Sequence, residues 1–247
     1  MKVVFHEEFC QVYTSDPAAE PGRMESIVAE IGPHVEFVAA APAAEGEIAA
    51  VHTAEHIARV RQNGLYDIAA LAAGGAAQAA AIGLSEPCFA LVRPPGHHAS
   101  AGSSWGFCYF NNMAVAIESL RQAGRIETAY ILDFDLHYGD GTVNILEHRG
   151  YTGIHNPGAH ERKAYLWEVA EELARCRADI IGVSAGFDNH RQDWGGLLMT
   201  EDYFEMGRMV REAARRNRAG CFAVLEGGYN PHVLGKNVLA LINGMSV

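Results

Sequence analysis

The chain has 247 residues, 49 % of them hydrophobic and 20 % charged. That length can bury roughly 70 % of the extended surface in one core, and the composition excludes a mostly disordered chain. Nineteen Lys and Arg against 30 Asp and Glu leave a net charge of −11, which opposes a nucleic-acid partner and suits a neutral or cationic substrate.

Short apolar runs alternate with longer amphipathic ones. The pattern predicts a strand over Lys2–His6, a helix over Met24–Ile31 and a strand over Val35–Ala39. Helices over Ile48–Gln62 and the alanine-rich Tyr66–Leu84 come next, then strand Cys88–Val92 and helix Met113–Ala123. Strand Ala129–Asp135, helix Thr142–His148, strand Gly153–His155 and helix Ala164–Arg177 follow. Strand Ile180–Phe187, helix Glu201–Arg218, strand Cys221–Glu226 and helix His232–Met245 complete the order. Such alternation argues for a parallel α/β sheet covered on both faces. Ile180–Val183 is apolar on both faces, as a central strand should be. The Ala/Pro/Glu stretch Ala39–Glu47 reads as a surface loop, so residues 1–247 are expected to form one domain. No apolar run is long enough to span a membrane. MKVVFHEEF lacks the features of a signal peptide. Five scattered cysteines without a CxxC fit a reducing, cytoplasmic compartment.

Four of these strands end in polar clusters: Arg93–His98, Asp133–Gly141, Ala185–His190 and Glu226–Asn230. Ligands of open parallel sheets bind outside the carboxyl ends of the strands, so the four clusters should meet in one crevice. In an extended segment residues two apart share a face, so Asp135 and His137 can reach one ion, with Asp188 the candidate third ligand. One nitrogen and two oxygens suit zinc with a position left open. A solvated strand-end turn, or helix capping by Asp188, would explain the same residues without a metal. His97 and His98, stiffened by Pro94 and Pro95, have the residue type for acid/base work near neutral pH. Tyr229 on the Gly227–Gly228 turn could donate to a developing oxyanion or pack beneath the turn. His6, His34, His52, His56, His148, His160 and His232 read as surface or satisfied core positions.

Together RPPGHHA (Arg93–Ala99), GFCYFNN (Gly106–Asn112), DFDLHYGDGT (Asp133–Thr142), SAGFDNH (Ser184–His190) and EGGY (Glu226–Tyr229) resemble the histone deacetylase family. That family includes bacterial histone-deacetylase-like amidohydrolases, acetylpolyamine amidohydrolases and acetoin-utilisation proteins. Pro21–Gly22–Arg23 and Val51–His52 resemble its amino-terminal region. The resemblance implies a three-layer α/β/α fold related to arginase. It implies a catalytic zinc on Asp135, His137 and Asp188. His97 and His98 would lie beside the attacking water, oriented by Asp133 and Asp140. His98 would move the proton, and His97 would supply charge. Tyr229 would polarise the carbonyl. Gly106, Phe107 and Gly228 would be the substrate-binding residues. Potassium near Asp133, Asp135 and His137 is a further implication.

The activity implied is zinc-dependent removal of acetyl or other acyl groups from a lysine, in a peptide or as a small amine. The alternatives are a non-catalytic acyl-lysine or partner-binding protein, and a metal hydrolase of other amides or esters. Some features depart from the family pattern. Tyr138 replaces a second histidine, and Gly153 stands where a potassium-binding serine is expected. The stretch between Asp140 and Ser184 is short, and no residue is identifiable as the channel's second aromatic wall. The Gly64–Leu71 region is trimmed and offers only Asp67 as a rim carboxylate. Shortened loops imply a wide mouth that accepts acyl groups larger than acetyl.

Overall fold

The computed structural model describes residues 1–247. Its strands are β1 (Lys2–Phe5), β2 (Glu36–Ala39), β3 (Cys88–Ala90), β4 (Ala129–Asp133), β5 (Thr152–His155), β6 (Ile180–Ala185) and β7 (Gly220–Leu225). They form one sheet of seven strands in the order β2-β1-β3-β7-β6-β4-β5, every pair parallel. Every residue of β6 and β7 is buried. Their unbroken apolar runs belong where helices cover both faces.

The helices are α1 (Arg23–Ile31), α2 (Glu45–Ala49), α3 (Ala54–Gln62), α4 (Tyr66–Gly83), α5 (Asn112–Gln122), α6 (Asp140–Leu146), α7 (Arg162–Arg175), α8 (Thr200–Asn217) and α9 (Pro231–Ser246). Helices α1, α7, α8 and α9 pack as one layer, and α2 to α6 as the other. Helix α8 buries Tyr203, Met206, Val210, Ala213 and Ala214, the stripe expected of an amphipathic helix lying on a sheet. The result is a three-layer α/β/α fold. One hydrophobic cluster runs through it from Val3 to Met245. No helix is long and apolar enough to cross a membrane.

Each strand read from the sequence is present, but several stop early. The β4 ladder ends at Asp133 and the β6 ladder at Ala185. The residues beyond leave the sheet and turn their polar side chains into the crevice. The expected helix Ile48–Gln62 is broken into α2 and α3. Thr53 causes the break, because its side-chain oxygen accepts from the backbone N–H of His56 and starts a new helix. The order β3-β7-β6-β4 is contiguous, so the four strand ends with polar clusters stand side by side.

Candidate active site

Asp135 and His137 follow β4, and Asp188 follows β6. His137 Nδ1 lies 3.0 Å from Asp188 Oδ2 and 3.3 Å from Asp135 Oδ1. The other carboxylate oxygens are held by the main chain. Asp188 Oδ1 accepts from Leu136 N at 3.0 Å, and Asp135 Oδ2 accepts from Gly227 N at 2.8 Å. Asp188 Oδ2 is buried with no donor aligned to it. A buried oxygen without a donor calls for an explanation, and a cation supplies one. Burial, then the Asp135 charge, push Asp188 up to about 6. The carboxylates of Asp135 and Asp188 beside it push His137 up to about 10. A divalent ion would take the place of the proton these groups share. Two carboxylates and one imidazole fit such an ion, zinc included.

His97 and His98 follow β3, with ring centroids 4.0 Å apart. His97 Nδ1 is 3.1 Å from Asp133 Oδ2, and His98 Nδ1 is 2.7 Å from Asp140 Oδ1. The far nitrogens are left for the crevice. Burial works against a charge on His97, but Asp135 and Asp133 outweigh it and hold its pKa well above the usual value. Burial, then the neighbouring His97, bring His98 down to about 4. Burial and neighbouring charge therefore push the two adjacent rings in opposite directions. Glu226 fixes their backbone, since its Oε2 accepts from Gly96 N at 2.7 Å and His97 N at 3.2 Å. Burial pushes this carboxyl up to about 7.

Tyr229 follows β7. Its turn is held from α1 by the buried Arg23, which donates to Gly228 O at 2.7 Å and Glu226 O at 2.6 Å. Burial raises the Tyr229 hydroxyl far above its usual range, so it stays a proton donor. Phe107 sits at φ +68°, a costly conformation for a residue with a side chain. Its ring meets Tyr229 edge-on at 6.0 Å. A cavity of about 110 Å³ is lined by His97, His98, Gly106, Phe107, His137 and Tyr229, among others. Gly228 does not line it. A side chain at 228 would meet Leu234 and Phe187, and Gly227 lines the cavity instead.

The narrow cavity opens beside a groove of about 500 Å³, which also borders Trp105, Gly106 and Phe107. The groove makes a wide rim beside a narrow throat, and neither the Gly64–Leu71 region nor the short stretch between Asp140 and Ser184 lines it. Asp16 and Arg59 line the rim. Asp67 lines a different cavity, with His6 and Tyr66. Gly153 pairs with Tyr130, three residues short of the level of Asp133. Tyr138 is exposed.

Several residues of the crevice carry no signal in the sequence. Trp105 stacks on His98 with centroids 3.8 Å apart and donates to Asp140 Oδ2 at 2.9 Å. Asp193 accepts from Tyr229 N at 2.8 Å, and Trp194 stacks on the Tyr229 ring. Trp105 borders the GFCYFNN string, which was the one available hint. Asp193 and Trp194 lie in a loop whose position only the folded chain reveals.

A parallel sheet whose strand ends gather a two-carboxylate, one-imidazole cluster, two histidine–aspartate pairs and a tyrosine defines an arginase/deacetylase-like α/β protein. The histone deacetylase domain model matches residues 18–167 and 157–245, and the chain belongs to that family. A probable deacetylase of Methanothermobacter thermautotrophicus is 34 % identical over 219 residues, covering 73 % of this chain and 65 % of that protein. This chain therefore spans slightly under two thirds of that relative. The histone deacetylase-like amidohydrolase of Pseudomonas aeruginosa is 29 % identical, covering 91 % of this chain and 74 % of its own. The solved HDA15 HD domain superposes with a TM-score of 0.83 at 25 % identity, covering 98 % of this chain and 88 % of that one. The family supports a hydrolase acting on amides.

Proposed function

We propose that residues 1–247 form one catalytic domain, a zinc-dependent amidohydrolase that removes acetyl or other acyl groups from lysine side chains or related amines. The observation that carries this reading is the meeting of Asp135 Oδ1, Asp188 Oδ2 and His137 Nδ1 beside two histidines. Each of those histidines has a carboxylate on its Nδ1.

Asp135, His137 and Asp188 would hold the metal. When bound, the ion supplies Lewis-acid polarisation of an amide carbonyl and makes water more acidic. The remaining steps fall to the chain's own residues. His98 is neutral near pH 7, so its Nε2 accepts the proton of the attacking water and returns it to the leaving amine. Asp140 fixes the proton of this ring on Nδ1. His97, buried against Asp133, carries the positive charge that opposes the negative charge growing on the carbonyl oxygen. Tyr229 donates its hydroxyl to that oxygen. Phe107 flanks the methylene chain of the substrate.

The test is hydrolysis of an acyl-lysine series by metal-stripped protein before and after zinc is returned. Zinc at one equivalent should restore turnover, with acetyl and short straight acyl groups preferred because the throat is narrow. Failure of every acyl-lysine with stoichiometric zinc bound would sink the reading.

A further inference from the structure

The short segment after β5, Asn156–Glu161, holds no Phe, Tyr or Trp, and none of its residues lines the throat cavity. A different loop reaches the throat. It starts at Asp188 and folds back tightly: Gly195 N donates to Asp188 O at 2.8 Å, and Asp193 N to His190 O at 2.9 Å. A side chain at 195 would lie 2.3 Å from Asn189 Oδ1 and 2.8 Å from Leu136 Cδ1, so only glycine allows the turn. At the tip, Asp193 Oδ1 accepts from Trp194 N at 2.9 Å. Its Oδ2 accepts from Tyr229 N and Asn230 N, both at 2.8 Å. One carboxylate therefore ties the two loops together. The indole of Trp194 lies on the Tyr229 ring, centroids 4.0 Å apart and planes 21° apart. It stands edge-on to His137 at 6.0 Å. Trp194 also lines the throat cavity and is 52 % exposed.

We infer that Trp194 is the second aromatic wall of the acyl channel and the residue that holds the Tyr229 ring in place. Tyr229 is bracketed, with the Phe107 ring edge-on at 6.0 Å and the Trp194 indole on one face. Stacking of this kind is specific in geometry, so it fixes where the hydroxyl points as well as covering the ring. The exposed part of the indole is then free to cover a ligand. The class of ligand that fits is a slender, unbranched methylene arm carrying the amide, as in Nε-acyl-lysine. The wall role rests on the amidohydrolase reading. The hold on Tyr229 does not depend on it.

Two measurements test the inference. In the zinc-loaded enzyme, Trp194→Ala should raise KM for an acetyl-lysine peptide about three- to tenfold through lost stacking. It should also lower kcat about tenfold or more, because the hydroxyl is no longer positioned. Trp194→Phe should recover most of both. Trp167→Phe, an exposed residue of α7, should behave as wild type. In protein labelled with 3-fluorotyrosine, the Tyr229 ¹⁹F resonance, identified by its loss in Tyr229→Phe, should move in Trp194→Ala and stay in Trp167→Phe. Unchanged kinetic constants in Trp194→Ala would overturn the wall, and an unmoved Tyr229 resonance would overturn the hold. Absence of acyl-lysine turnover by the wild type would overturn the amidohydrolase reading and the wall together, while the fluorine spectrum still decides the hold.

Discussion

The rings of His97 and His98 are centred 4.0 Å apart, and those of His52 and His56 5.0 Å apart, with nearly equal interplanar angles of 37° and 38°. Both pairs are buried. They differ in what their nitrogens meet. His97 and His98 put Nδ1 on the carboxylates of Asp133 and Asp140 and leave Nε2 for the crevice. His52 puts Nδ1 on Ser100 O at 3.0 Å and accepts Asn111 N on Nε2 at 2.9 Å. His56 Nε2 lies 2.6 Å from Tyr109 O. The second pair is bound to the main chain at both ends of the loop that carries Trp105, Gly106 and Phe107. Both ring nitrogens of His52 are taken, so none is left to handle a substrate proton. Packing alone does not separate a reacting histidine pair from a structural one. A carboxylate on one nitrogen and space at the other do.

The sharpest way to break this contrast is to delete one ring from each pair. His98→Ala should lower kcat by about 10²–10⁴ while zinc content and melting temperature hold, as expected for a lost general acid/base. His56→Ala should lower the melting temperature first and kcat much less. Equal losses of kcat at equal stability would show that the two pairs do not divide in this way.

A smaller effect separates the two carboxylates. Asp133 is buried, whereas the side chain of Asp140 is 43 % exposed and shared with Trp105. Asp133→Asn and Asp140→Asn should each cost about 10- to 100-fold in kcat, as partners of catalytic or metal-site histidines commonly do. Only Asp133→Asn should also lower the melting temperature, because it disturbs a buried pair with no water to replace the lost contact. Thermal unfolding beside steady-state kinetics reads both. A stability loss confined to Asp140→Asn would reverse the assignment.

The division between the pairs also shows what the sequence could reveal. Asp133, Asp135, His137, Asp188, His97, His98 and Tyr229 were legible because each follows an apolar run. Such runs become strands that must be buried on both faces, so their ends must emerge on one edge. The contiguous order β3-β7-β6-β4 is what turns that into a single crevice. His52 and His56 show no such placement, and their partners Ser100, Tyr109 and Asn111 lie about fifty residues away. Trp194 was invisible for the same reason: a loop reaches its neighbour through the fold, not through spacing. The break at Thr53 did have a local signal, a capping residue. The apolar periodicity on either side ran through it and hid it. Gly228 shares the EGGY string, but a side chain there would run into Leu234 and Phe187 and not into the cavity, which only the turn geometry shows.

The finest test concerns the structural pair and uses acid. Burial, then the neighbouring His56, hold the pKa of His52 at about 4, below its ordinary 6.5. As pH falls through 6.5 the unfolded chain takes up a proton that the folded chain refuses, so folding loses free energy from about pH 6.5 down to about 4. Above pH 6.5 the contribution is complete and flat. A shift of this size corresponds to at most about 3 kcal/mol. The structure names the cost of protonation directly, since a proton on Nε2 of His52 would face the N–H of Asn111. His52→Asn should therefore be less stable than wild type at pH 7.5 but lose less on acidification. The two stability curves should converge between pH 6.5 and 4, as read by urea unfolding of metal-free protein. Parallel curves across that window would mean that His52 is protonated without penalty, and that the loop from Ser100 to Asn111 is held by something other than a neutral ring.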